Sequence, residues 1–374
     1  LALQLHWLAT WDLAEAPGWR RYAAFAAVQV LWGNVHGYFV LGPLLAGLRL
    51  AAGFIRGEKG RPLARAAALL AVALAASLVS PFGVKSWAFA WTLWSFLREM
   101  GGTIVETRPP LGEFLRLWTV KLFWAYWAAT LLAGLWLAWR RRFALFPLLT
   151  GAAGLYLSAS AARNLPLLFF LSAPLWRGFV EERRGGREAD RGVRGRAGRA
   201  VAAASGALAL AACVWVAAGG FHRSVTSPTR FGAGLQAHAY PLRAAEYLRS
   251  RPFAGRLYNN SADGGYLEYA FPGVHPYIDS RYIEAGAVRT YFASLRNPQA
   301  FAALHREQRF DAALLSVQES APLVQALIAS PEWRLVHADP HRALFAARGS
   351  EAAGALAPAE PRFYAGDDLA LPVN

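Results

Sequence analysis

Apolar stretches recur through the first 220 residues, with short clusters of arginine between them. The first, 22–48, reads YAAFAAVQVLWGNVHGYFVLGPLLAGL and carries no formally charged side chain; further charge-free windows lie at 66–84, 122–139, 143–162, 164–176 and 200–221. About 20 apolar residues of helix span the hydrocarbon core of a bilayer. Most of these windows therefore predict membrane-crossing helices, and 164–176 predicts a short tilted or re-entrant one. The first window has Gly33-Asn34-Val35-His36-Gly37 in its middle. Polar groups at that depth are costly, so the pattern predicts a membrane helix with a polar site built into it. In the loop 81–116, Trp87, Trp91 and Trp94 recur at helical spacing, as in a helix lying flat in the interface, and Pro109-Pro110 forbids helix further on.

From about residue 241 the pattern changes to short apolar runs alternating with amphipathic stretches. It predicts a helix over 241–251, strands at 255–259 and 274–280, a helical pair over 288–308 broken near Pro298, a strand at 311–316, a helix over 321–330, and strands at 333–338 and 342–347. Strands alternating with helices imply a small α/β domain, its sheet largely parallel with an antiparallel edge. The stretch 181–199, EERRGGREADRGVRGRAGR, has no apolar period and reads as a solvated linker; the Ala-, Pro- and Gly-rich tail after 349 reads as disordered. The expected fold is an α-helical polytopic membrane domain (1–220), a small extracytoplasmic α/β domain (221–348) and a disordered tail (349–374).

Composition supports the bilayer as solvent: 55% of residues are hydrophobic, 17% are charged, and mean hydropathy is +0.24. The net charge of +15 is concentrated in loops, at Arg56–Arg65, at Arg140–Arg142 and across 177–199. Topology accounts for that placement better than nucleic acid does, so no nucleic-acid partner is expected. With the three clusters in the cytoplasm, the order is out-to-in for 22–52, in-to-out for 64–80, out-to-in for 117–139, in-to-out for 143–162, out-to-in for 164–177 and in-to-out for 200–220. The chain after 221 is then extracytoplasmic, while Arg20 and Arg21 fall on the outer side, against the scheme. The single cysteine, Cys213, lies inside an apolar window, so no intrachain disulfide can form.

This order places Asn34, His36, Glu106, Arg108, Arg163 and Asn164 together at the outer boundary, where one pocket could hold them. Arg163 suits a phosphate or diphosphate through its planar donor fork, and His36 or Glu106 could move a proton. Simpler roles stand beside these: Asn34 and His36 as helix-packing groups between Gly33 and Gly37, Glu106 paired with Arg108, and Arg163 reaching to the interface. In the α/β domain, Asn259 and Asp263 lie near a strand end followed by Gly264-Gly265, and Asp279-Ser280-Arg281 ends the next strand. These are ligand candidates at carboxyl strand ends, or an internal Asp–Arg pair bracing loops. The sequence shows no phosphate-binding glycine fingerprint, metal-spaced Cys or His cluster, or nucleophile elbow.

From about Val30 to Ala347 the chain resembles bacterial polytopic membrane proteins of the GT-C glycosyltransferase class, related to the protein mannosyltransferases and lipopolysaccharide glycosyltransferases that use polyprenyl-phosphate sugars. The family's W-x-N-x-H-G-x-F stretch is similar to Trp32-Gly33-Asn34-Val35-His36-Gly37-Tyr38-Phe39, its N-P-x-G to Ser80-Pro81-Phe82-Gly83 without the Asn, and its I-x-E-W to Ile104-Val105-Glu106-Thr107 without the Trp. Its R-N-x-P-L turn resembles Arg163–Leu167, and its N-x4-G-G-Y-L and D-G-R elements resemble Asn259 with Gly264–Leu267 and Asp279–Arg281. The resemblance implies a multi-pass inner-membrane glycosyltransferase, with a polyprenyl-phosphate-linked sugar as donor and an extracytoplasmic glycan or protein as acceptor. It implies that Arg163 steadies the phosphate, that Asn34 and His36 line the cavity, and that Glu106 assists the acceptor or a divalent metal, for which the sequence offers no dedicated ligand set. In this class the catalytic acidic residue sits in a first outer loop, which would precede Leu1, so the chain reads as N-terminally truncated and no base is named. The alternatives are a non-catalytic membrane-anchored binding or assembly protein and a transporter.

Overall fold

The computed structural model describes residues 1–13, 18–99, 107–140, 145–183, 196–225, 232, 234–236, 238–251, 253–271, 273–280, 285–356 and 362–363. The described chain is mostly helical, with a small mixed sheet in its C-terminal part, and it divides into two units, Leu1–Ala209 and Leu210–Asn374.

The N-terminal unit contains α1 (Ala2–Thr10), α2 (Trp19–Val35), α3 (Leu41–Ile55), α4 (Arg61–Ser77), α5 (Val84–Glu99), α6 (Trp118–Arg140), α7 (Leu145–Ser160) and α8 (Leu165–Arg183); α9 (Arg196–Ala217) spans the boundary between units. Two helical stretches, Gly37–Ile55 and Trp118–Arg140, are long and apolar enough to cross a membrane, and Leu145–Ser160 and Ala203–Ala217 are shorter apolar helices.

The segment 22–52, expected to cross as one helix, is instead two helices reversing at His36. That residue is extended (φ −153°, ψ 138°) and leads into a 3-10 turn, Gly37–Val40. The reversal shows in what flanks α4. Asn34 near the end of α2 bonds Val79 just past the end of α4, and Leu13 ahead of α2 accepts a bond from Arg65 near the start of α4, so α2 and α4 are parallel. Helix α3, joined to α4 by a short turn, packs against it in the opposite sense. The physical reason lies in the interrupting residues: Gly33 and Gly37 contribute no side-chain packing, and His36 spends its ring on the turn rather than on a helical neighbour.

The second half alternates likewise. Tyr126 meets Ser172, Trp176 meets Thr130 and Trp136 meets Phe179, so α6 and α8 are parallel, with α7 antiparallel between their ends. One end of the unit thus gathers the C-terminal ends of α2, α4 and α7 with the N-terminal ends of α3, α6 and α8. The other end carries Arg20, Arg21, Arg56, Arg61, Arg65, Arg140, Arg177 and Arg183.

The C-terminal unit contains α10 (Gly220–Ser224), α11 (Leu242–Arg249), β1 (Arg256–Asn259), α12 (Ser261–Ala270), β2 (His275–Pro276), α13 (Ala285–Arg296), α14 (Pro298–Gln308), β3 (Ala312–Ser316), α15 (Ala321–Ala329), β4 (Trp333–Ala338), β5 (Arg342–Ala347), α16 (Glu351–Gly354) and a two-residue β6 (Arg362–Phe363). The sheet order is β2-β1-β3-β5-β4-β6. Strands β2, β1 and β3 are parallel, while β5 is antiparallel to both β3 and β4. The antiparallel strand therefore lies inside the sheet rather than at its edge, flanked by β3 and β4, and every residue of RALFAA in β5 is buried.

Two further expectations are corrected. The strand expected over 274–280 contracts to His275–Pro276: the Tyr277 N–H still reaches Leu257 O, but past it the backbone is held by a side chain, Asn259 Nδ2 donating to Ile278 O at 2.8 Å. The tail expected to be disordered from 349 begins as ordered structure. Ser350 caps α16, Leu356 is fully buried in the apolar core, and its carbonyl accepts a bond from Tyr247.

Candidate functional site

The gathered end of the N-terminal unit carries most of the residues the sequence singles out. At the α2–α3 turn, His36 Nδ1 accepts the Tyr38 backbone N–H at 3.0 Å, and the two rings lie 4.9 Å apart. Because the Nδ1 lone pair is committed there, a neutral imidazole carries its proton on Nε2, on an exposed ring. The outward edge of His36 is then a donor, suited to an anion rather than to proton abstraction. Tyr38 Oη donates to Asn164 Oδ1 at 2.7 Å, and Asn164 Nδ2 donates to Leu157 O at 3.1 Å. Asn164 thus ties the α7–α8 turn, a 3-10 turn over Ala162–Asn164 that also presents the exposed Arg163, to the α2–α3 turn. The Ala162 N–H donates to the Arg108 carbonyl at 2.8 Å, and Trp124 Nε1 donates to the Pro110 carbonyl at 2.8 Å, which fastens the 107–111 loop to the same end.

Asn34 plays the packing role: its amide donates to Val30 O and Val79 O, both at 2.8 Å. The structure therefore brings Asn34, His36, Arg108, Arg163 and Asn164 to one end of the unit. Glu106 lies outside the described residues.

Beneath the turn is a polar knot that sequence reasoning missed. Gln29 is fully buried; its Nε2 donates to Phe39 O and Ser77 Oγ, each at 2.9 Å, and its Oε1 accepts from the buried Gln4 at 2.8 Å. A Cβ on Gly42 would overlap Gln29 Oε1, so glycine there makes room for the knot. The signal was an uncharged Gln inside an apolar run, which a search for formal charge passes over.

In the C-terminal unit the singled-out residues are used up by the fold. Asn259 is fully buried, donating to the carbonyls of Asn260 and Ile278 and accepting from the amides of Tyr277 and Ile278. Asp263, fully buried at the start of α12, accepts two 2.7 Å bonds from Arg342 Nε and Nη2. Burial pushes its carboxyl up, and Arg342 pulls against that. Asp279 is half-buried and stands against the start of α12, where a Cβ on Gly264 would overlap the Ile278 carbonyl; Arg281 lies outside the described residues. Arg342, which no local pattern marked, is the partner that makes Asp263 a structural group. Among the described residues no group of three His, Cys, Asp or Glu side chains could hold a metal ion.

No protein-family model matches the chain, and no curated protein matches it.

Proposed function

We propose that the chain is an integral-membrane glycosyltransferase of the GT-C class, working at the gathered end of its N-terminal unit on a sugar carried by a polyprenyl phosphate. The supporting observation is the Tyr38–Asn164 bond, together with the Ala162–Arg108 bond. The first joins two segments that resemble separate family motifs, and the second ties to them the loop that follows a third.

In this reading the arginine-rich end faces the cytoplasm and the cluster faces out. Seven crossings follow, by α2, α3, α4, α6, α7, α8 and α9, and the C-terminal unit is extracytoplasmic at the inner membrane. The α2–α3 reversal supports this order, because it puts Arg20 and Arg21 on the same side as Arg56–Arg65 and removes their conflict with the six-crossing scheme.

The chemistry needs little from the protein beyond placement and charge. An acceptor hydroxyl oxygen forms the new bond to the anomeric carbon, the bond from that carbon to the phosphate oxygen breaks, and polyprenyl phosphate departs with the electron pair and takes up the hydroxyl proton. Arg163 and the Nε2–H of His36 would neutralise and orient the phosphate, Arg108 would add positive charge nearby, and Asn34 and Asn164 would hold the two turns in register. The acceptor is an extracytoplasmic glycan or protein.

The test uses native membranes containing the full-length gene product, supplied with radiolabelled polyprenyl-phosphate sugars, and compares the parent with Arg163→Ala and His36→Ala. Label transfer by the parent and a loss of about 10²-fold or more in folded variants is expected, as when a charge-stabilising donor is removed. No transfer from any donor refutes the reading and favours an anchored binding or assembly protein; proton-coupled uptake into vesicles would favour a transporter.

A further inference from the structure

We infer that a cleft at the sheet edge of the C-terminal unit binds a neutral saccharide. The cleft holds about 490 Å³ and is framed by β1, β2, α13 and α14, with Tyr277 and Phe310 just past the ends of β2 and α14. Its volume is in the range of small-ligand sites.

The floor is apolar and aromatic. Leu304 and Phe310 are buried, Tyr277 is half-buried, and the Tyr277 and Phe310 rings meet edge to face at 5.2 Å. The rim is polar. Arg256 Nη1 donates to Gln308 O at 2.7 Å, which fixes the direction of the guanidinium, and Gln308 Nε2 donates to Glu307 Oε1 at 3.1 Å. His275 and Thr290 complete the rim.

A sugar ring has an apolar C–H face and a belt of hydroxyls that both donate and accept. The half-buried Tyr277, backed by Leu304 and Phe310, answers the first, and a rim mixing guanidinium, carboxylate, amide and hydroxyl answers the second. Competing ligand classes fit less well. A phosphate or nucleotide wants net positive charge, and here Glu307 offsets Arg256. A peptide adding to the sheet would pair with the outer edge of β2. The His275 and Tyr277 amides point inward to Gly255 O and Leu257 O, and the residue facing outward is Pro276, which has no N–H to give.

The inference does not rest on the transferase reading, since an anchored glycan-binding protein would use the same cleft. The test titrates the full-length protein, held in a zwitterionic detergent without sugar headgroups, with mannobiose, cellobiose and chitobiose, and with inorganic phosphate and a Gly-Ser peptide as counter-probes. At least one disaccharide is expected to bind, with affinity falling about tenfold in Glu307→Ala, the order of one lost hydrogen bond, and abolished in Thr290→Trp, which fills the cleft from an exposed helical position. Both variants should leave the C-terminal unit folded by hydrogen exchange. Absence of disaccharide binding, binding that survives both substitutions, or binding of phosphate or peptide instead overturns the inference.

Discussion

Arg342→Met removes one half of the buried pair in the C-terminal unit. Asp263 is fully buried, and each of its carboxylate oxygens accepts a 2.7 Å bond from Arg342. In the variant the carboxylate stays desolvated and loses both donors. Breaking a buried pair from one side costs about 3–5 kcal/mol, a large share of the about 5–15 kcal/mol that holds a domain together. The double variant Asp263→Leu with Arg342→Met removes the charge with its donors and is predicted to recover about 2 kcal/mol or more of that loss. Acid modulates the single variant in a definite direction. Burial already raises the Asp263 carboxyl, and Arg342 is the main influence opposing the rise. A carboxyl whose folded pKa lies above its unfolded one takes up a proton on folding, so its contribution is present below the unfolded value and is lost as pH rises through the folded value. The deficit of Arg342→Met is therefore largest at neutral pH and shrinks on acidification. Native-state hydrogen exchange at the Ala313 and Phe345 amides, paired across β3 and β5, reads local opening without requiring two-state unfolding of a two-unit chain. A single variant within about 1 kcal/mol of the parent, or a double variant as unstable as the single, would refute the reasoning.

Gly42→Ala, whose Cβ would overlap Gln29 Oε1, is predicted to destabilise the detergent-held protein by about 1–3 kcal/mol, the cost of leaving buried amide groups unsatisfied, and so to lower its melting temperature; Gly47→Ala, with open space around it, should leave it unchanged. Burial alone would raise the Asp339 carboxyl, but His337 and the backbone amides of His341 and Arg342 outweigh it and hold it below the usual carboxylate value. Its contribution is thus present above the unfolded pKa and lost as pH falls through the folded one, so Asp339→Asn should flatten the loss of amide protection in the β4–β5 hairpin below about pH 4. In a Cys213→Ser background, Arg20→Cys and Lys59→Cys should label with an impermeant thiol reagent from the same face of sealed vesicles, and Leu111→Cys from the opposite face; labelling of Arg20→Cys and Lys59→Cys from opposite faces would restore a single crossing over 22–52.

Helix extents in the N-terminal unit were legible because apolar windows end where arginines begin: 117–139 is Trp118–Arg140, and 143–162 is Leu145–Ser160. The α2–α3 reversal was not, since Gly33–Gly37 suits a polar site in a straight helix as well as a turn, and only contacts with α4 distinguish the two. In the C-terminal unit, the broken helical pair near Pro298 and the return strand 342–347 follow from punctuation and periodicity. The place of β5 inside the sheet depends on two-sided burial, which a short run such as RALFAA signals only weakly. The gathering of Asn34, His36, Arg108, Arg163 and Asn164 at one end follows from successive helices alternating in direction, which relates distant turns without knowledge of packing; it holds with the α2–α3 reversal since these residues flank turns. Arg342 was not legible as the partner of Asp263, because a pair 79 positions apart leaves no local pattern.

The most direct test of the account is photocrosslinking of the membrane-embedded protein with a diazirine-bearing polyprenyl phosphate, followed by mass mapping of the adducts. The account predicts adducts concentrated at 34–39, 107–111 and 161–165. Adducts concentrated near Arg140 and Arg183, or none above a neutral polyprenol control, would contradict it.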